Sequence, residues 1–105
     1  MNRGDVWDAR LPDGQHRPVV LLTRDEAIPV LVRVTVAPVT RTIRGIPSEV
    51  PVGLPEGLSD ESVVSCDNIL TIPRSMLERR RGELGAEAIR RLDSAIMTAL
   101  GIETP

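Results

Sequence analysis

The apolar residues of this chain change their spacing once, and that change limits what it can fold into. From residue 4 to residue 84 they come in short runs broken by proline, glycine and polar turns. From residue 86 to residue 100 they fall on one stripe at helical spacing: Ile89, Leu92, Ile96, Ala99 and Leu100. A row of strands closed by one helix predicts a mainly β fold, a small and strongly bent barrel. It excludes a parallel α/β sheet, which needs a helix between successive strands.

The expected strands cover residues 4–11, 17–23, 29–39, 48–53, 62–66 and 79–84, with one helical turn at 73–77. The run RPVVLLT (17–23) is continuously apolar after its arginine, the mark of a strand buried on both faces. Pro12-Asp13-Gly14-Gln15 is turn chemistry. Pro38 falls near the end of the third strand, where a missing amide donor is tolerated. Gly101 follows the helix at the usual stopping position. No good capping side chain precedes it, so the helix must draw its stability from packing.

At 105 residues the chain is expected to form one domain, 1–105, with no repeat or linker. A domain of this size buries about two-thirds of its unfolded surface, so a partner subunit would add useful burial. Trp7 is the only aromatic residue. The core must therefore be Val, Leu and Ile, and no aromatic platform exists for stacking bases. A single cysteine, Cys66, excludes an internal disulfide and a cysteine zinc cluster, and one histidine cannot build a histidine metal site. No cofactor or metal is expected. The opening residues lack the apolar stretch of a signal peptide, and no run is long enough to cross a bilayer. The expectation is a cytoplasmic protein with no membrane partner.

Net charge is −2 and all thirteen basic residues are arginine, so the placement of the arginines matters more than their number. Arg17 precedes Pro18 and the buried run. A sheet pins its backbone while its side chain emerges at the strand end, where a guanidinium fork can cradle a phosphate or simply shield a sheet edge. Thr40 ends the third strand and can donate a hydroxyl hydrogen bond or merely terminate the strand. His16 is the only side chain that titrates near neutrality. Arg41 and Arg44 make a basic loop beside Thr40. In Arg79-Arg80-Arg81 strand alternation sends Arg80 to the opposite face from its neighbours, so the three cannot serve one groove. Asp25-Glu26 and Asp60-Glu61 read as solvated turn residues. No phosphate-binding glycine loop and no Ser-His-Asp arrangement is recognisable.

Four motifs in order resemble the MazF/PemK toxin family: R-G-D-V-W-x-A-x-L-P (residues 3–12), R-P-V-V-L-L-T (17–23), V-A-P-V-T (36–40) and V-V-S-C-D-N-I (63–69). The closing helix ending in A-L-G adds to the likeness, which spans nearly the whole chain. The resemblance implies an SH3-like β-barrel with a C-terminal helix that forms a homodimer. It implies a type II toxin, an endoribonuclease that cleaves single-stranded RNA without metal. The products would be a 2′,3′-cyclic phosphate and a 5′-hydroxyl, and a cognate MazE-like antitoxin would silence the enzyme.

Carried onto this chain, the resemblance makes Arg17 and Thr40 the catalytic pair, with His16 and Asp67 as RNA-binding residues, to which the basic loop adds Arg41 and Arg44. Two departures stand out. Ser65 occupies the place of an arginine in one branch of the family, although Asp67 is kept. The first loop, Asp13 to His16, is short and leaves the target sequence open. The alternative from another class is a CcdB-like toxin, which shares this architecture but acts on DNA gyrase by protein contact and requires no Arg17/Thr40 pair. A third is a structural relative without activity.

Overall fold

The computed structural model describes residues 1–103. Among these lie seven strands: β1 (Asp5–Arg10), β2 (His16–Leu21), β3 (Arg33–Thr40), β4 (Glu49–Val52), β5 (Ser62–Ser65), β6 (Leu70–Pro73) and β7 (Leu77–Glu83). One helix follows, α1 (Ala86–Leu100). All pairings are antiparallel, in the spatial order β4-β5-β3-β2-β1-β7, with β6 also on β3. This is the bent β architecture with a closing helix that the residue spacing implied.

Strand β3 is the hinge of the sheet. On the edge away from β2 it pairs first with β6, through Arg33 to Val36, and then with β5, through Val39 and Thr40. Thr35 bonds toward the β2 side, accepting from Leu22 N–H at 2.9 Å. Alternation then turns the amide position of Pro38 to the other edge, into the gap between the two partners. A residue with no N–H sits where no ladder bond is required. The proline lies opposite Val19, two residues before the strand's end at Thr40, as expected.

The core has two halves, one on each face of the sheet. Val6, Val20, Ala37, Val50, Val64 and Leu92 belong to the half beneath α1. Ala9, Val19, Leu21, Val34, Val36 and Ile72 fill the other. Neighbours Val19 and Val20 thus enter different halves, which explains why β2 reads as a continuous apolar run. The helix has the expected bounds. Gly101 (φ 69) closes it, and Ile102 N–H donates to Met97 O at 2.8 Å. No side chain caps its start. Leu92 and Ala95 are buried, but Leu100 is 55% exposed. It lies one position, about 100° of rotation, beyond Ala99 and off the packed stripe.

Two strand expectations need correction. Residues 29–32 are turn, not strand: Val30 and Leu31 donate back to Ala27 O, and Val30 and Val32 are exposed. Strand β6 went unrecognised because it is short and only Ile72 of its four residues is buried. The helical turn expected at 73–77 is present as a single 3-10 turn, Arg74–Met76.

Cys66 is almost fully buried between β5 and α1. Burial, and then the neighbouring Asp67 charge, push its thiol from 9.0 up to about 11. The folded state therefore holds this proton more tightly than the unfolded chain. Its contribution is complete below pH 9.0 and is lost as pH rises toward about 11. Urea titrations on either side of that window should show the decline, and a Cys66→Ala variant should show less of it.

Candidate functional site: a polar groove at the end of β2 and β3

Pairs Val20↔Ala37 and Val19↔Pro38 set the β2–β3 register. Carried two residues further, it brings Arg17 opposite Thr40. Their side chains share two adjoining hollows. The first, about 700 Å³, is lined by Gln15, His16, Arg17, Thr40, Arg41 and Arg81, among others. The second, about 420 Å³, also takes in Arg17 and Thr40, together with Arg44, Glu49, Ser65 and Asn68. Arg17 and Thr40 thus stand where the hollows meet.

The local chemistry leaves both groups able to receive an anion. Arg17 Nε donates to Gln15 Oε1 at 2.9 Å, which steadies the guanidinium and directs the rest of its donors elsewhere. Pro18 behind it limits the backbone to extended conformations. Thr40 Oγ1 accepts from the Thr42 N–H at 3.1 Å, so its own proton stays available for donation. A guanidinium fork and a hydroxyl donor lining the same hollows are the donor types that a tetrahedral phosphate accepts from.

The remaining expected site residues divide. His16 lines the first hollow with Nδ1 on Glu78 Oε1 at 2.8 Å. Arg41 lines it too and pairs loosely with Asp60 at 3.5 Å, both largely exposed. Asp60, expected as a plain turn residue, is itself part of this wall. Arg44 lines the second hollow. Asp67 lines neither. The 3-10 turn Cys66–Asn68 directs its carboxylate to the Ser48 hydroxyl, so it braces the β3–β4 connection. Its neighbours Ser65 and Asn68 face the groove instead, joined by an Asn68 Nδ2 to Ser65 Oγ bond of 2.8 Å.

Arg81 is a groove residue that sequence reasoning missed. Alternation does hold, for Arg79 and Arg81 share the Asp8 carboxylate while Arg80 reaches Asp5. Parity could not say which face met the groove. Arg81 also donates through Nε to Gly57 O at 3.1 Å, so it is held from two sides. Among the described residues no three His, Cys, Asp or Glu side chains converge as a metal site. No helix there is long and apolar enough to cross a membrane.

The family model of the PemK-like, MazF-like toxin of type II toxin–antitoxin systems matches residues 2–100. Endoribonuclease MazF3 of Mycobacterium tuberculosis is 48% identical over 87 residues, covering 83% of this chain and 84% of that protein. Probable endoribonuclease MazF5 of the same organism is 39% identical over 102 residues, covering 93% and 91%. Among solved structures, the M. tuberculosis toxin MazF-mt6 superposes with a TM-score of 0.90 at 44% identity, covering 95% of this chain and 99% of that one. A mycobacterial endoribonuclease in complex with its cognate antitoxin superposes at 0.87 with 27% identity, covering 100% and 99%. With fold and sequence in agreement over almost the whole chain, this protein belongs to the PemK-like, MazF-like toxins of type II toxin–antitoxin systems.

Proposed function

We propose that the groove binds single-stranded RNA with the scissile phosphate between Arg17 and Thr40. The chain is an endoribonuclease of the toxin family, and the observation that carries the site assignment is the sharing of both hollows by those two residues. In the reaction, the ribose 2′-oxygen forms a bond to phosphorus and the bond to the 5′-oxygen breaks. The 2′-hydroxyl gives up its proton and the departing 5′-oxygen takes one. Arg17 neutralises the charge that builds on the phosphorane, since a guanidinium of such high pKa is a poor proton donor. Thr40 orients a non-bridging oxygen.

The chain acts as a cytoplasmic homodimer held in check by a cognate antitoxin, as the antitoxin complex of the mycobacterial relative suggests. An acidic, disordered antitoxin segment has a matching surface in the groove arginines. The gyrase-binding alternative gains no support, because the matching family is PemK/MazF.

Cleavage of a single-stranded transcript in the presence of a chelator tests the mechanism. The fragments should carry 5′-hydroxyl and 2′,3′-cyclic phosphate ends, and Thr40→Val should lower kcat by about ten- to a hundred-fold. Fragments with 5′-phosphates, or a Thr40→Val enzyme of undiminished rate, would remove the proposed chemistry.

A further inference from the structure

The connection between β3 and β4 carries Arg41 and Arg44 along the groove, yet residues 41–47 hold no strand or helix of their own until a turn begins at Pro47. One side chain organises it. The N–H groups of Arg44 and Gly45 both donate to the same oxygen, Oε1 of Glu49, at 3.0 Å each. Two successive amides converging on one anion form a backbone nest, and Gly45 at φ 70 supplies the left-handed step. Glu49 begins β4, where it is in register with Ser65. Its carboxylate therefore ties an otherwise irregular loop to a rigid sheet.

A carboxylate on the rim of the second hollow, beside Arg17, Thr40 and Arg44, works against an RNA phosphate by simple repulsion. Its position makes sense if its hydrogen bonds matter more than its charge. Those bonds run to the backbone of Arg44 and not to its guanidinium, which leaves that charge for a ligand. Resting on the assignment of this groove to RNA, we propose that Glu49 is a positioning residue for RNA binding: it clamps the Arg44–Gly45 turn so that the Arg44 guanidinium faces the second hollow.

The test uses the full chain with Glu49→Ala, Glu49→Gln and Arg44→Ala. It reads hydrogen exchange at the Arg44 and Gly45 amides, and steady-state cleavage of a transcript that the wild type cuts. Glu49→Ala should accelerate exchange at both amides and raise KM about ten-fold, while kcat moves less than about two-fold. Glu49→Gln keeps an Oε1 that accepts both bonds. It should hold exchange slow and keep KM from rising, whereas a role through an attractive charge would raise KM in Glu49→Gln as in Glu49→Ala. Amides that exchange as slowly in Glu49→Ala as in wild type would overturn the clamp. Freed amides with an unchanged KM, when Arg44→Ala does raise KM, would overturn the inference and leave the RNA groove standing. If neither Glu49→Ala nor Arg44→Ala moves KM, the loop is no part of the RNA site and the inference falls, while the groove assignment is decided separately by Arg17 and Thr40.

Discussion

Replacing Arg17 with alanine is expected to cut kcat/KM on single-stranded RNA by about a hundred- to a thousand-fold, with folding and dimer formation retained. The side chain stands at the start of β2 outside both halves of the core, so its loss opens no cavity. What disappears is a charge held in place by Gln15 at the junction of the two hollows. Arg17→Lys restores the charge without the planar fork and should recover only a minor part of the rate. Gel-based cleavage assays beside size-exclusion chromatography check both halves of the statement. An Arg17→Ala protein that cuts at the wild-type rate would leave the phosphate without its principal stabilising group.

Gly57→Ala should be the costliest small substitution for stability, about 2–4 kcal/mol. Gly57 closes the turn Leu54–Glu56 with φ 88, and a Cβ there would collide with the Arg81 carbonyl. Across the contact, a Cβ on Gly82 would meet the Glu56 carbonyl oxygen. Two backbones lie against each other with room for hydrogen only. The melting temperature should fall by roughly 10–25 °C, compared at one protein concentration because the proposed dimer would add to apparent stability. Gly14 makes a suitable control: it also has positive φ (85), but nothing lies within 4 Å of its Cβ position. Gly14→Ala should cost about 1 kcal/mol. Equal melting shifts for the two variants would mean that the close approach contributes nothing beyond backbone strain. Because the Gly57 carbonyl also holds Arg81, Gly57→Ala should weaken cleavage even at temperatures where it stays folded.

How much of this was legible in the residues varies with the physics involved. The helix bounds were readable because apolar positions at one period and a terminal glycine agree, although Leu100 falls off the packed stripe. Strand β2 was readable because burial on both faces leaves no polar gap in the run. Residues 29–32 misled because Pro-Val-Leu-Val is as apolar as a strand, and only tertiary structure reveals that Val30 and Val32 face solvent. In the site, Arg17 and Thr40 were visible through their place at strand ends and the family resemblance. Their facing geometry depends on register, which spacing alone does not supply. Arg81 and Glu49 lay hidden for a related reason. Arg81 is held by Asp8 and Gly57, both distant in the chain, while Glu49 bonds backbone amides only four and five residues away, which carry no sequence signature.

Pro38, near the end of β3, also bears on how a protein partner could seat itself nearby. Pro38 lines the second hollow and offers a carbonyl but no donor at the seam between β6 and β5. An extended segment arriving there cannot zip onto the sheet as an additional strand in full register. Its grip must come from side chains, so recognition at this edge follows the visitor's sequence rather than its bare backbone.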